Sequence, residues 1–161
     1  MTIRVATLGP MGTFSDVAVR QHWKKDIKNV KTIYTKGFSE IFELVEQGKA
    51  DYGLFPLEDS VVGDARARAD PLELLRRHNL YMVGEEYIDV VHCLLVKKRM
   101  EIIKVVATHP QVLLHCQRFL RIHLPGVEQK PVGSTAEGAR IASVDSTYGA
   151  IGSERLERFM I

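Results

Sequence analysis

Leu8-Gly9-Pro10-Met11-Gly12-Thr13-Phe14-Ser15 lies between an apolar run, Ile3 to Leu8, and a helical pattern that begins near Asp16. Two glycines and a proline fix a tight turn there. Ser15 is placed to cap the helix that follows, whose free backbone N–H groups would then face an anion. Strand, turn and helix N-terminus in that order make a candidate small-anion site, although any ordinary strand-to-helix connection needs the same residues. The weight of the reading therefore falls on what the rest of the chain adds.

The alternation continues. Val30 to Tyr34 reads as a second strand, and Gly37 introduces a helix from about Ser39 to Gln47 with Ile41, Phe42, Leu44 and Val45 on its apolar face. Tyr52 to Pro56 is expected as a third strand, followed by a long loop from Leu57 to Ala69; connectors of that length are commonly functional. Asp70 is expected to cap a short helix with Pro71 in its first turn, and Leu80 to Val96 is a long β-rich stretch able to carry the chain from one lobe to another. Val105 to Thr108 has a buried-strand pattern, Pro110 opens a helix through Leu120, and a short strand near Lys130–Val132 leads to a Ser134-Thr135 cap and a helix over 136–143. Tyr148 to Ile151 is the last expected strand. Strands alternating with helices predict an α/β fold of two lobes, residues 1–79 and 80–151, with a C-terminal helix over 152–161 returning towards the first lobe. Ligands are expected in the cleft between the lobes, where strand-end loops collect.

Composition narrows the functional classes. The 161 residues are 45% hydrophobic and 26% charged, ordinary for a globular protein with a real core. Lys and Arg total 22 against 20 acidic residues, so the net charge of +2 makes no case for a nucleic-acid or membrane partner. Cys93 and Cys116 both sit in apolar surroundings with no second pair, which points to buried reduced thiols rather than a disulfide framework or a zinc site. No apolar run reaches the ~18 residues of a membrane span, and the N-terminus has no basic-then-apolar signal segment. A cytoplasmic protein is expected.

Polar groups concentrate at four junctions: Gly12-Thr13-Phe14-Ser15, Glu58-Asp59-Ser60 with Gly63, Thr108-His109-Pro110-Gln111, and Ser134-Thr135. Singly, each has a plain structural role as cap, turn or first-turn surface. Together they offer hydroxyls, an amide, two carboxylates and several helix N-termini to one small ligand. Helix dipoles and unpaired N–H groups hold carboxylates without a lysine or arginine in contact, so the set suits an organic anion.

The same junctions carry a family resemblance. Gly9-Pro10-Met11-Gly12-Thr13-Phe14-Ser15 resembles the G-P-x-G-T-F/Y-S opening of prephenate dehydratases, and Pro56-Leu57-Glu58-Asp59-Ser60-Val61-Val62-Gly63 resembles their P-I/V-E-N-S-x-x-G segment. Val83-Gly84-Glu85, His92-Cys93-Leu94-Leu95, His109-Pro110-Gln111, Ser134-Thr135-Ala136 and Gly149-Ala150-Ile151 follow in the family's order. The resemblance implies two lobes like those of type II periplasmic binding proteins, with prephenate in the cleft, and conversion of prephenate to phenylpyruvate, water and carbon dioxide on the way to phenylalanine. It implies no cofactor and no metal, and a homodimer. Carried onto this chain, the substrate-binding residues are Gly12, Thr13, Ser15, Gln111 and Ser134, and the catalytic residues Glu58, Asp59, Ser60 and Thr135.

Two departures from the family pattern are visible. Asp59 stands where the family has an asparagine, and an ionised Asp accepts hydrogen bonds but donates none. The family's Thr-Arg-Phe motif, whose threonine is thought to help the hydroxyl leave, has no counterpart, and neither has the ACT domain through which many relatives sense phenylalanine. Either Ser153 to Phe159 is the helix that precedes the motif's strand, or Glu157-Arg158-Phe159-Met160-Ile161 is a shortened counterpart with Glu157 in place of the threonine. Leu156, Phe159 and Met160 at helical spacing favour the helix. The alternative functions are a non-catalytic relative that binds a prephenate-type ligand, or a prephenate decarboxylase-like enzyme.

Overall fold

Strand β1 (Ile3–Leu8) is buried on both faces at Val5, Ala6 and Thr7, which is why it reads as a nearly unbroken apolar run rather than an alternation. It lies at the centre of a three-stranded sheet between β2 (Val30–Thr35) and β3 (Tyr52–Leu54), parallel to both. The connections are α1 (Phe14–His22) and α2 (Phe38–Glu46). Ala6 packs with Ile41 and Phe42 of α2, and Gly53 meets the same helix so closely that an added Cβ would lie 2.7 Å from Ile41 Cγ2. Tyr52 points to the other face, where its ring meets Trp23 at the end of α1. The two helices therefore cover opposite faces. The computed structural model describes residues 2–59, 63–64 and 71–160. Beyond β3 the backbone forms a two-residue antiparallel pair, β4 (Glu58–Asp59) with β5 (Gly63–Asp64), and then α3 (Pro71–Arg77), whose Leu74 joins the α2 core.

A second compact unit, Val90–Ile161, follows the first, Met1–Asp89. Its sheet runs β6-β9-β7-β8, built from β6 (Cys93–Val96), β7 (Val105–Thr108), β8 (Glu128–Pro131) and β9 (Tyr148–Gly152). β7 is parallel to β8 and β9, and β6 is antiparallel to β9. One face carries α4 (Pro110–His115) and α5 (Gln117–His123), with Val112, Leu113 and Leu120 packed against Val106 and Ile151. The other carries α6 (Thr135–Val144), whose Ala136, Ala139 and Ala142 lie on Leu95 and Ala150. Small residues are required there: a Cβ on Gly138 would collide with the backbone carbonyl of Ala107.

The α/β class expected from the alternation is what forms, and the two units share a topology. In the first the chain runs β1, α1, β2, α2, β3 with β1 central; in the second it runs β7, α4 and α5, β8, α6, β9 with β7 between β8 and β9. Each central strand is left towards one side and rejoined from the other. The carboxyl ends of β1 and β3, and of β7 and β9, are thus topological switch points, where open α/β sheets hold ligands.

Several local expectations change. Of the stretch Leu80–Val96 only Cys93–Val96 is a strand; residues 80–92 are without regular secondary structure, and Tyr81 and Val83 are each 80% exposed. A period-two apolar pattern specifies an extended chain, but a strand also needs a hydrogen-bonded neighbour. The helix expected over 110–120 breaks at Cys116, whose φ of −97° and ψ of 8° leave the helical region while the apolar spacing continues through it. The end of the chain forms a 3-10 helix, Glu154–Phe159, which puts Leu156 into the α6 core of the second unit. The cap expected at Asp70 lies outside the described residues.

Candidate functional site

At the edge of the first unit, Gly12 adopts φ +95°, a conformation that favours glycine, and lets the chain turn from β1 into α1. Thr13, not Ser15, is the N-cap of α1; it makes no side-chain capping bond, and its hydroxyl donates to the Leu8 carbonyl at 3.4 Å. Ser15 lies inside the first turn because the helix starts two residues earlier than its apolar pattern suggests. The backbone N–H groups of Ser15 and Asp16 take no partner among the described residues. Gly12 N–H donates to Asp16 Oδ2 at 3.1 Å, so its place in the loop is conformational. Glu58 and Asp59 follow β3, the strand beside β1, and their backbone pairs with Asp64 and Gly63. Ser60 lies outside the described residues.

The sequence reading missed what fixes this loop. Asp16 is fully buried, accepting from Gly12 N–H, from Arg20 Nε at 3.2 Å and from the Tyr34 hydroxyl at 2.8 Å. Burial and the Asp16 contact push the Tyr34 hydroxyl up to about 12. The available signal was the Asp16–Arg20 spacing of four on a helix. Thr7 is equally buried, and its hydroxyl donates to the Leu54 carbonyl at 2.8 Å, tying β1 to β3 beside the loop.

The second unit repeats that tie: Thr108, also fully buried, donates to the Ile151 carbonyl at 2.5 Å. His109 caps α4, its Nδ1 accepting from Gln111 N–H at 3.3 Å with Pro110 in the first turn. The Gln111 carboxamide makes no hydrogen bond among the described residues. Ser134 is the N-cap of α6, its Oγ accepting from Glu137 N–H at 3.1 Å, while the Glu137 carboxylate accepts from Gly133 N–H at 2.9 Å. Thr135 stands apart. It is 7% exposed, its hydroxyl has no hydrogen-bond partner among the described residues, and a Cβ on Gly152 would lie 3.0 Å from its Cβ. The N–H groups of Thr135 and Ala136 likewise take no partner among the described residues.

Gly12, Thr13 and Ser15 are thus brought together in one connection, with Glu58 and Asp59 on the neighbouring strand's extension. Thr135 is set beside the end of β9, while Gln111 follows the end of β7. Each edge offers helix N-terminal N–H groups and uncharged hydroxyl or amide side chains, a donor-rich lining suited to carboxylates. Among the described residues no helix is long and apolar enough to cross a membrane.

Comparison with known proteins places these features. The family model described as prephenate dehydratase matches residues 5–160. The bifunctional chorismate mutase/prephenate dehydratase of Escherichia coli K12 is 32% identical over 154 residues, covering 94% of this chain and 39% of that protein. The corresponding protein of Buchnera aphidicola from Schizaphis graminum is 31% identical over 151 residues, 91% of this chain and 38% of that protein. The chain therefore spans about two fifths of these relatives' length. A prephenate dehydratase from Arthrobacter aurescens, solved in complex with L-Phe, superposes with a TM-score of 0.71 at 25% identity over 96% of this chain and 50% of that one. GqqA, described as a novel type of quorum quenching acylase, shares the fold, with a TM-score of 0.81 at 23% identity over 98% of this chain and 56% of its own. With its Gly-Pro-x-Gly-Thr-Phe-Ser loop and its buried Thr135 inside the matched span, this chain belongs to the prephenate dehydratase family.

Proposed function

We propose that the chain binds prephenate and converts it to phenylpyruvate, water and carbon dioxide, as a step of phenylalanine biosynthesis. The observation that carries the reading is Thr135, a residue 7% exposed whose hydroxyl has no hydrogen-bond partner among the described residues, at the N-terminus of a ten-residue helix and within a match to the family that runs from residue 5 to residue 160. The chemistry asks little else of the protein. The C–O bond of the ring hydroxyl breaks with its electron pair, the departing oxygen takes a proton and leaves as water, and the pair of the ring–carboxylate bond enters the ring as carbon dioxide departs. Aromatisation drives the step; the protein aligns the dianion and supplies a donor aimed at the leaving oxygen.

In this reading Thr13, Ser15, Gln111 and Ser134 serve binding, the helix N-termini through their N–H groups, and Gly12 shapes the loop that presents them. Thr135, Glu58, Asp59 and Ser60 serve proton movement. No cofactor takes part. Two free cysteines, Cys93 and Cys116, support a reducing cytoplasm as the location, and we place the working state as a homodimer, to be tested by light scattering.

Asp59 in the asparagine position favours a second reading, a relative that binds a prephenate-type ligand or decarboxylates it without expelling the hydroxyl. Phenylpyruvate formation from prephenate, measured at neutral to alkaline pH against protein-free buffer, separates the two. Turnover that falls about a hundredfold in Thr135→Ala and is kept or raised in Asp59→Asn supports the dehydratase. Absence of turnover with prephenate raising the unfolding temperature supports the binding relative, and a decarboxylated product that keeps its hydroxyl supports the third outcome.

A further inference from the structure

The fully buried Asp16 carboxylate takes no part in the proposed chemistry, yet it ties the first loop to α1 and to β2. Its Oδ2 accepts from Gly12 N–H at 3.1 Å, in the loop itself, and from Arg20 Nε at 3.2 Å, one turn along α1. Its Oδ1 accepts from the Tyr34 hydroxyl at 2.8 Å, on β2. The other end of the loop rests on the same strand: Gly9 N–H donates to the Thr35 carbonyl at 2.9 Å, and a Cβ on Gly9 would stand 2.7 Å from Tyr34 Cβ. Arg20 is partly exposed and its Nη2 lies 4.0 Å from Met11 Sδ, closing the ring of contacts over the middle of the loop.

We propose that Asp16 is a positioning residue for the ligand carboxylate, acting as a resident anion of the β1–α1 loop: it occupies Gly12 N–H as a ligand oxygen would, and so fixes Thr13 and the first turn of α1 for one external carboxylate. The inference rests on the prephenate reading above. Two consequences separate it from a general packing role. Position, not charge, is what Asp16 supplies, because an asparagine can accept from Gly12 and Arg20 through its oxygen and donate to a rotated Tyr34 hydroxyl through its amide. Alanine removes the carboxylate oxygen that Gly12 N–H and Arg20 Nε share.

The test compares wild type, Asp16→Ala, Asp16→Asn and Tyr34→Phe in the full chain, following prephenate turnover and the hydrogen exchange of the Gly12 amide by NMR. Asp16→Ala is expected to raise KM about tenfold with kcat little changed, the loss of one charge-assisted bond read as uniform binding. Its Gly12 amide should lose protection, and Asp16→Asn should restore both. A folded Asp16→Ala with wild-type KM overturns the proposal, as does an Asp16→Asn as impaired in KM as the alanine while Gly12 stays protected. Should Asp16→Ala not fold, Tyr34→Phe decides: a several-fold rise in KM supports the proposal and an unchanged KM sinks it. Wild type that neither turns over prephenate nor is protected by it would instead refute the functional reading, and Gly12 exchange would then judge alone whether Asp16 holds the loop.

Discussion

At the scale of single residues, the two threonines that tie the switch points are the sharpest regularity. Thr7 and Thr108 occupy comparable places in the two central strands, each fully buried and each donating to a carbonyl of the neighbouring strand across the switch point, β3 or β9. Valine has nearly the same shape but no donor, so Thr7→Val and Thr108→Val should each lower stability by about 1 kcal/mol, read as a shift of the urea midpoint at constant slope. Neither role was legible in the sequence, where Thr7 read as part of the first strand and Thr108 as one of the polar groups at a ligand-facing junction. A surface contact gives a pH-dependent counterpart. The Arg4 side chain, with its backbone N–H, bonds both oxygens of Asp51 and holds that carboxyl down to about 2. A depressed carboxylate contributes stability above its ordinary value near ~4 and loses it as the pH falls through its folded value. The unfolding temperature of Asp51→Asn should therefore fall less steeply than wild type between about pH 4 and 2, by an amount kept small because both partners are exposed.

At the scale of elements, α6 shows how packing selected its residues. Its alanines and Gly138 let the helix lie directly on β7 and β9, and the same close approach brings the Thr135 side chain beside Gly152. Gly138→Ala puts a methyl against backbone that cannot swing aside, so the helix must lift. A loss of about 1–3 kcal/mol is expected, measured by denaturant unfolding, with prephenate protection reduced in parallel. Helix existence and order were readable here because Ser134 and Glu137 bracket the N-terminus and Pro110 opens α4. Helix ends were less so. α1 begins at Phe14 with Thr13 rather than Ser15 as its cap, and its loop is braced by Asp16, which bonds Gly12 four residues back and Tyr34 on β2.

At the scale of the molecule, each unit has its own sheet and its own apolar core, and residues 80–92, which span the boundary between Asp89 and Val90, are without regular structure. Amides of Met82, Val83 and Val91 should accordingly exchange orders of magnitude faster than those of Val5 and Val106 in the central strands, as native-state hydrogen exchange will show. The sequence by itself determined the α/β class, the order of most elements, the ordered motifs that place the chain in its family and the loops where a carboxylate ligand is expected, because periodicity, caps and turn residues are local properties of the chain. Only the tertiary structure decided that Asp16 is buried against Tyr34 of β2 beneath the first loop, that the buried Thr135 has no hydroxyl partner among the described residues, and that the apolar stretch before Cys93 is not a strand. Each of those depends on what stands opposite a residue in space, and hydrogen-bond partners drawn from distant strands leave no mark on local periodicity.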